Sequence, residues 1–266
     1  MTALGRMRDP TSDGRPLRLG MLTPSSNTAL EPMMAALAAD LPGASVHFSR
    51  FRVTEIALSE AALGQFSLVP MTEAAELLGH ARVDAIAWNG TSAAWLGFER
   101  DEALCAAIRA STGIPSTTSV LAFRDLFRAT KARRIGLVTP YTDDVQARIM
   151  DNWEAAGFAC TAERHLSLRD NFSFAEVGEE RIAEIVRAVA REGCDAVAIV
   201  CTNMRGTRIA PALERELGLP VYDSIAATLW GSLGLVSREH ADMTEPSLAG
   251  WGSMFAIPPA AGRRAT

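Results

Sequence analysis

Eight short apolar runs alternate along this chain with longer segments of helical period. The runs lie near 18–23, 45–52, 83–88, 115–118, 134–139, 158–166, 195–200 and 219–222, each bounded by turn residues. That pattern predicts strands buried on both faces of a parallel sheet. Between them, ALEPMMAALAADLPG (29–43), EALCAAIRASTG (102–113), SVLAFRDLFRATKA (119–132), DVQARIMDNWEAAGF (144–158), EERIAEIVRAVAREG (179–193) and SIAATLWGSLG (224–234) bring apolar residues round every three or four positions. These predict helices, several stopped at glycine. Alternating strands and helices give an α/β fold, in which ligands bind beyond the carboxyl ends of the strands.

The pattern occurs twice. VDAIAWNGTSAAWLG (83–97) matches CDAVAIVCTNMRGTR (194–208), placing Asp84 on Asp195 and Gly90 on Cys201 at an offset of 111. RLGMLTPSSNT (18–28) matches RIGLVTPYTDD (134–144), and GIPSTTS (113–119) matches GLPVYDS (218–224), at offsets of 116 and 105. Three motifs in one order indicate an internal repeat of small-domain size. The expected architecture is two pseudo-symmetric half-domains, 17–121 and 122–223, each with a four-stranded parallel sheet and with the site in the cleft between them. Segment 224–234 is the repeat-mate of 119–132 and is expected to pack back on the first half. Residues 1–16 read as a disordered leader and 240–266 as a loose tail.

Charge and cysteine usage narrow the function classes. A net charge of −5 with no basic run argues against nucleic acid. No apolar run reaches membrane-span length. Cysteines at 105, 160, 194 and 201 have no CxxC spacing, which suits free thiols in a reducing cytoplasm. The histidines at 47, 80, 165 and 240 lack ligand spacing, so no metal is expected. Homo-oligomer formation is left open.

All the distinctive polar turns follow apolar strands: Thr23-Pro24-Ser25-Ser26-Asn27, Gly90-Thr91-Ser92, Thr139-Pro140-Tyr141-Thr142 and Cys201-Thr202-Asn203. Facing halves would bring them to one cleft, where backbone N–H groups suit a small carboxylate. Neither a Walker A sequence nor GxGxxG follows a strand, so a nucleotide is disfavoured. Removing CO2 or a proton beside a carboxylate makes an enediolate, which needs preorganised donors. Thr91, Ser92 and Tyr141 offer hydroxyls. Cys201 offers a thiol with an ordinary pKa near 8.5, lowered further if the turn opens a helix with Thr202 and Asn203 as caps. Structural roles compete. Thr91, Ser92, Thr202, Asn203 and Asn27 suit helix caps, Asp84 and Asp195 suit turns, and Cys105, Cys160 and Cys194 suit core packing. Trp95, Phe172 and Phe174 are candidates for a pocket wall or for plain packing.

The ordered motifs LTPSSNT, GTS, TPYT and CTN resemble the aspartate/glutamate racemase superfamily over residues 18–235, most nearly its maleate cis-trans isomerases and arylmalonate decarboxylases. The resemblance implies flavodoxin-like halves and no cofactor. It implies that Pro24, Ser25, Ser26 and Asn27 hold a substrate carboxylate, that Gly90, Thr91, Ser92 and Tyr141 surround the enediolate, and that Cys201 delivers the proton. Racemases and isomerases of that superfamily carry a cysteine on both turns. Glycine at 90 with cysteine at 201 is similar to the decarboxylase branch. The expectation is therefore a decarboxylase of a malonate-type acid that yields one enantiomer, with Gly90→Cys restoring racemase chemistry. The alternatives are a maleate isomerase or racemase working with one thiol, and a non-catalytic carboxylate-binding protein.

Overall fold

The computed structural model describes residues 16–236 and 248–258. The first half runs β1 (Leu17–Pro24), α1 (Leu30–Ala39), β2 (Ala44–Phe51), α2 (Glu60–Gly64), α3 (Leu68–His80), β3 (Ala85–Trp88), α4 (Ala93–Leu96), α5 (Phe98–Thr112) and β4 (Ser116–Thr118). Helix α6 (Ser119–Thr130) leads to the second half: β5 (Arg134–Thr139), α7 (Asp143–Ala155), β6 (Ala159–His165), α8 (Glu179–Ala190), β7 (Ala196–Ile199), α9 (Ala210–Leu217), β8 (Val221–Asp223) and α10 (Ser224–Leu233). The two sheets have matching orders, β2-β1-β3-β4 and β6-β5-β7-β8, and every pairing is parallel.

The central strands carry the repeat's physical logic. Gly20 in β1 and Gly136 in β5 are equivalent, and each lets a neighbouring layer come close. A Cβ at Gly20 would lie 3.0 Å from Val83 and 3.1 Å from Leu78, and one at Gly136 would overlap Val189 and meet Cys194 Sγ at 3.0 Å. Asp84 and Asp195 tie equivalent strands at their entrances. Asp84 accepts from Arg18 N at 2.8 Å, and Asp195 accepts from Arg133 N and Arg134 N at 2.9 and 2.8 Å. Both are turn-fixing groups remote from the carboxyl ends.

Helix α6 runs straight through the expected boundary at 121/122 and packs against α10, which also contacts α1. A hydrogen bond of 2.7 Å between the Ser119 and Thr228 hydroxyls joins α6 to α10 within the core. The pattern assigned no element to 53–82, yet α2 and α3 lie there, with Met71, Ala74, Ala75 and Leu78 of α3 buried. Pro70 masks α3 in the sequence but sits in its first turn, where its missing N–H has no intrahelical partner to lose.

Residues 248–258 belong to the stretch expected to be a loose tail, and they are packed instead. Leu248, Met254 and Phe255 are buried, and Trp230 Nε1 donates to Ile257 O at 2.7 Å. Apolar anchors three or so apart override the Gly/Pro/Ser-rich composition. The expected leader, apart from Pro16, and the rest of the expected tail lie outside the described residues. Among the described residues no helix is long and apolar enough to cross a membrane.

A swapped pair marks the two strand ends. In the first half Asp101 of α5 accepts from Thr118 at the end of β4, while in the second Thr207 Oγ1 donates to Asp223 at the end of β8 at 2.5 Å. Burial pushes Asp101 up to about 7, against the lowering effects of Thr118 and Arg124. A carboxyl raised in the fold contributes stability fully below its unfolded pKa of about 4, and that contribution is lost as pH rises to its folded value. The loss is on the order of 4 kcal/mol for a three-unit shift. Asp101→Asn, which keeps an acceptor for Thr118, should therefore gain on the wild type as urea midpoints are compared from pH 4 to pH 8. Parallel midpoint curves would contradict the assignment.

Candidate active site

The four polar turns meet between the halves. A small cavity there is lined by Pro24, Gly90, Thr91, Ser92, Tyr141, Cys201 and Thr202, with Val53, Ile56, Phe66, Trp88, Trp95 and Asn171 completing its walls. It has room for about one water. None of these lining side chains is charged.

Tyr141 is the hinge of the arrangement. Its hydroxyl shares a 2.5 Å hydrogen bond with Thr91 Oγ1 from the other half and also reaches the Cys201 thiol. Its backbone is fixed on both sides: Tyr141 N donates to Thr139 Oγ1 at 3.3 Å, and Ser167 N donates to Tyr141 O at 3.0 Å. The ring packs edge-on to Trp95 and Phe174, at 5.2 and 5.6 Å. Burial holds the phenol well above its ordinary pKa. Ser92 Oγ accepts from Trp88 Nε1 at 3.4 Å, leaving its own hydrogen uncommitted to that bond.

Cys201 is buried, and burial pushes its thiol up to about 12, against the lowering effects of Asn203 N–H and Tyr141. Asn203 N approaches Sγ at 3.3 Å. The expected helix start at 201 is absent: residues 202–204 turn, and α9 begins only at Ala210. The thiol is therefore neutral rather than activated by a helix N-terminus.

Five residues expected to bind substrate make hydrogen bonds within the protein. Ser25 Oγ and Ser26 Oγ both donate to Val53 O, at 3.2 and 2.6 Å. Asn27 Oδ1 accepts from Ala29 N and Leu30 N at the start of α1, while its Nδ2 donates to Thr202 Oγ1 at 3.2 Å. Asn203 Oδ1 reaches across the cleft to Thr28 N and Ala29 N, at 3.0 and 3.1 Å, so a residue of the second half caps α1 of the first. Thr202 Oγ1 donates to Asn89 O at 2.8 Å. Arg50, unforeseen from sequence, clamps the same turn through Ser25 O, Asn27 O and Glu31.

Two loops close the cavity from above. Ile56 N donates to Arg169 O at 2.9 Å, Asn171 N to Thr54 O at 3.0 Å, and Asn171 Nδ2 to Ser26 Oγ at 2.8 Å. With these loops joined, the enclosed space is smaller than a dicarboxylate. Trp95 is a wall residue whose indole N–H has no partner among the described residues, and Phe174 lies buried behind Tyr141. Phe172 is 49% exposed and is no part of the wall. Val53, Ile56, Phe66 and Asn171 carried no sequence signal, because they sit in loops without period.

A family model described as arylmalonate decarboxylase matches residues 20–249. The chain belongs to that family. It is 27% identical over 230 residues to a maleate isomerase of Geobacillus stearothermophilus, covering 80% of this chain and 89% of that one. It is 32% identical over 149 residues to the arylmalonate decarboxylase of Bordetella bronchiseptica, covering 55% of this chain and 62% of that one. The maleate-bound structure of maleate isomerase Iso from Pseudomonas putida S16 superimposes with a TM-score of 0.78 at 24% identity, covering 91% of this chain and 98% of that one. The relatives are enzymes of both kinds, and the fold is theirs.

Asn203 tests the division between site and scaffold. Asn203→Ala removes the cross-cleft cap and the 2.5 Å bond from Nδ2 to Asn171 O. The unfolding free energy should fall by about 2–3 kcal/mol. An unchanged denaturation midpoint would show that the seam does not hold the halves together.

Proposed function

We propose that the protein is a cofactor-independent decarboxylase of a substituted malonate, in which Cys201 protonates an enediolate. The observation that carries this reading is the single thiol in the cavity, with glycine at its repeat-equivalent position.

The chemistry follows from the walls. One side is polar, with Thr91, Ser92, Tyr141, Thr202 and Asn171; the other is apolar, with Val53, Ile56, Phe66, Trp88 and Trp95. A carboxylate held by the hydroxyls leaves the second carboxylate against apolar groups, where charge is poorly solvated. Breaking its C–C bond releases CO2 and moves the bonding pair into the remaining carboxylate as an enediolate. The hydroxyl donors meet the developing oxygen charge, each worth about 3 kcal/mol in such a role. Cys201 then transfers its S–H proton to carbon. The thiolate left behind is met by Asn203 N–H and Tyr141 until solvent reprotonates it.

A second reading, cis-trans isomerisation of maleate, draws on the maleate isomerases among the relatives. It would use Cys201 as a nucleophilic thiolate, and a thiol pushed up to about 12 is a poor one. It would also need to hold two carboxylates with no cation among the lining side chains.

NMR of the enzyme with 2-alkyl- and 2-arylmalonates and with maleate separates the two: CO2 and a monocarboxylate support decarboxylation, and fumarate alone would replace it with isomerisation. Cys201→Ala should lose about a hundredfold or more in turnover, and near-wild-type turnover would remove the mechanism. The pH profile adds a further check. Because the proton donor is the neutral thiol, kcat should stay level between pH 7 and pH 9.5. A fall with an apparent pKa near the ordinary 8.5 would mean that Cys201 is not held as described.

A further inference from the structure

We propose that Trp88 is the specificity-determining residue that confines this site to one-faced chemistry, because its indole occupies the space a side chain at position 90 would need. The stereochemical half of this inference rests on the decarboxylase reading; the steric half does not.

Gly90 is not left empty by its backbone. Its φ is outside the left-handed region that favours glycine, so an L-residue fits the conformation. Space is what excludes one. A Cβ built there would overlap Cζ2 and Cε2 of Trp88 and lie 2.5 Å from Cη2, closer than real Cβ contacts come. The ring is not free to swing aside. Trp88 is 1% exposed, packs tilted against Phe51 with ring centroids 4.9 Å apart, and donates from Nε1 to Ser92 Oγ.

The second half supplies the internal control. Position 88 is repeat-equivalent to Ile199, as Gly90 is to Cys201, and both lie at the last residue of the third strand of their sheets. Isoleucine ends after two carbons beyond Cβ, well short of the indole's benzo ring. A thiol at 201 fits beside it. The pairs Trp88/Gly90 and Ile199/Cys201 are thus two coupled solutions of one packing problem. Restoring a thiol at 90 alone, as the sequence suggested, leaves the indole in its way.

The test copies one half onto the other. Wild type, Trp88→Ile, Gly90→Cys and the double variant are compared by thermal unfolding and by α-hydrogen exchange of an enantiopure 2-arylpropionate in D2O. Gly90→Cys alone should lower the melting temperature by roughly 5–10 °C through overpacking. On the Trp88→Ile background the same change should cost less than half of that, a non-additivity expected of contacting residues. If Gly90→Cys fails to fold, recovery of soluble protein in the double variant is the same result. Exchange with loss of optical purity should rise about a hundredfold in the double variant over either single one.

Additive melting shifts, or a Gly90→Cys protein as stable as wild type, would overturn the steric claim. Non-additive shifts with no gain of exchange would reduce Trp88 to a packing partner and overturn its control of stereochemistry. Malonate turnover by the wild type and by Cys201→Ser, measured alongside, reports separately on the decarboxylase reading.

Discussion

The site depends on a buried polar seam that docks the two halves at their strand ends. Thr202 joins Asn89 O and Asn27 Nδ2, and Asn203 caps α1 from across the cleft. Each of these groups is buried or half-buried, and leaving one unpaired would cost about 1–3 kcal/mol. The halves can therefore meet in one register only. That register brings Tyr141 of the second half to Thr91 of the first and both to Cys201. The hydroxyls of Thr91 and Tyr141 are thus brought together by a seam whose asparagines, Asn27, Asn89 and Asn203, lie behind the cavity wall.

Within this frame the repeat is symmetric in backbone and asymmetric in chemistry. Matching sheets, matching glycines in the central strands and matching aspartates at the strand entrances build two copies of one scaffold. The side chains at the carboxyl ends then diverge. Asp101–Thr118 in one half becomes Thr207–Asp223 in the other. Burial also holds Asp223 up, to about 6, so both carboxyls belong to a dry, low-charge interior. A neutral thiol beside neutral donors follows from that environment. It suits proton delivery better than nucleophilic attack.

The sequence was legible wherever period and turn chemistry set the structure. All eight strands fall within two residues of the expected runs, and the central strands β1, β3, β5 and β7 are buried along nearly their whole length, which leaves an unbroken hydrophobic signal. Helix α3 escaped notice because Pro70, harmless in a first turn, interrupts the pattern. The turn residues Gly90, Thr91, Ser92, Tyr141, Cys201 and Thr202 were traceable through the repeat and do line the cavity. Ser25, Ser26, Asn27 and Asn203 were right in location and differ in task, because composition does not say whether an amide faces ligand or backbone. The thiol's environment differs from the expected one for a related reason: a Thr-Asn pair after a strand predicts a helix start, but here it forms the inter-half seam. Trp88 was invisible as a determinant, since only side-chain direction places its ring over Gly90.

One-faced proton delivery by Cys201 is the central claim, and stereochemistry reads it directly. A prochiral 2-aryl-2-methylmalonate would be decarboxylated in D2O and the product resolved by chiral chromatography with mass detection. One enantiomer is expected in large excess, carrying a single deuterium at the α-carbon. A racemic product formed at the wild-type rate would contradict it, since it would require proton delivery from the face that Gly90 and Trp88 close.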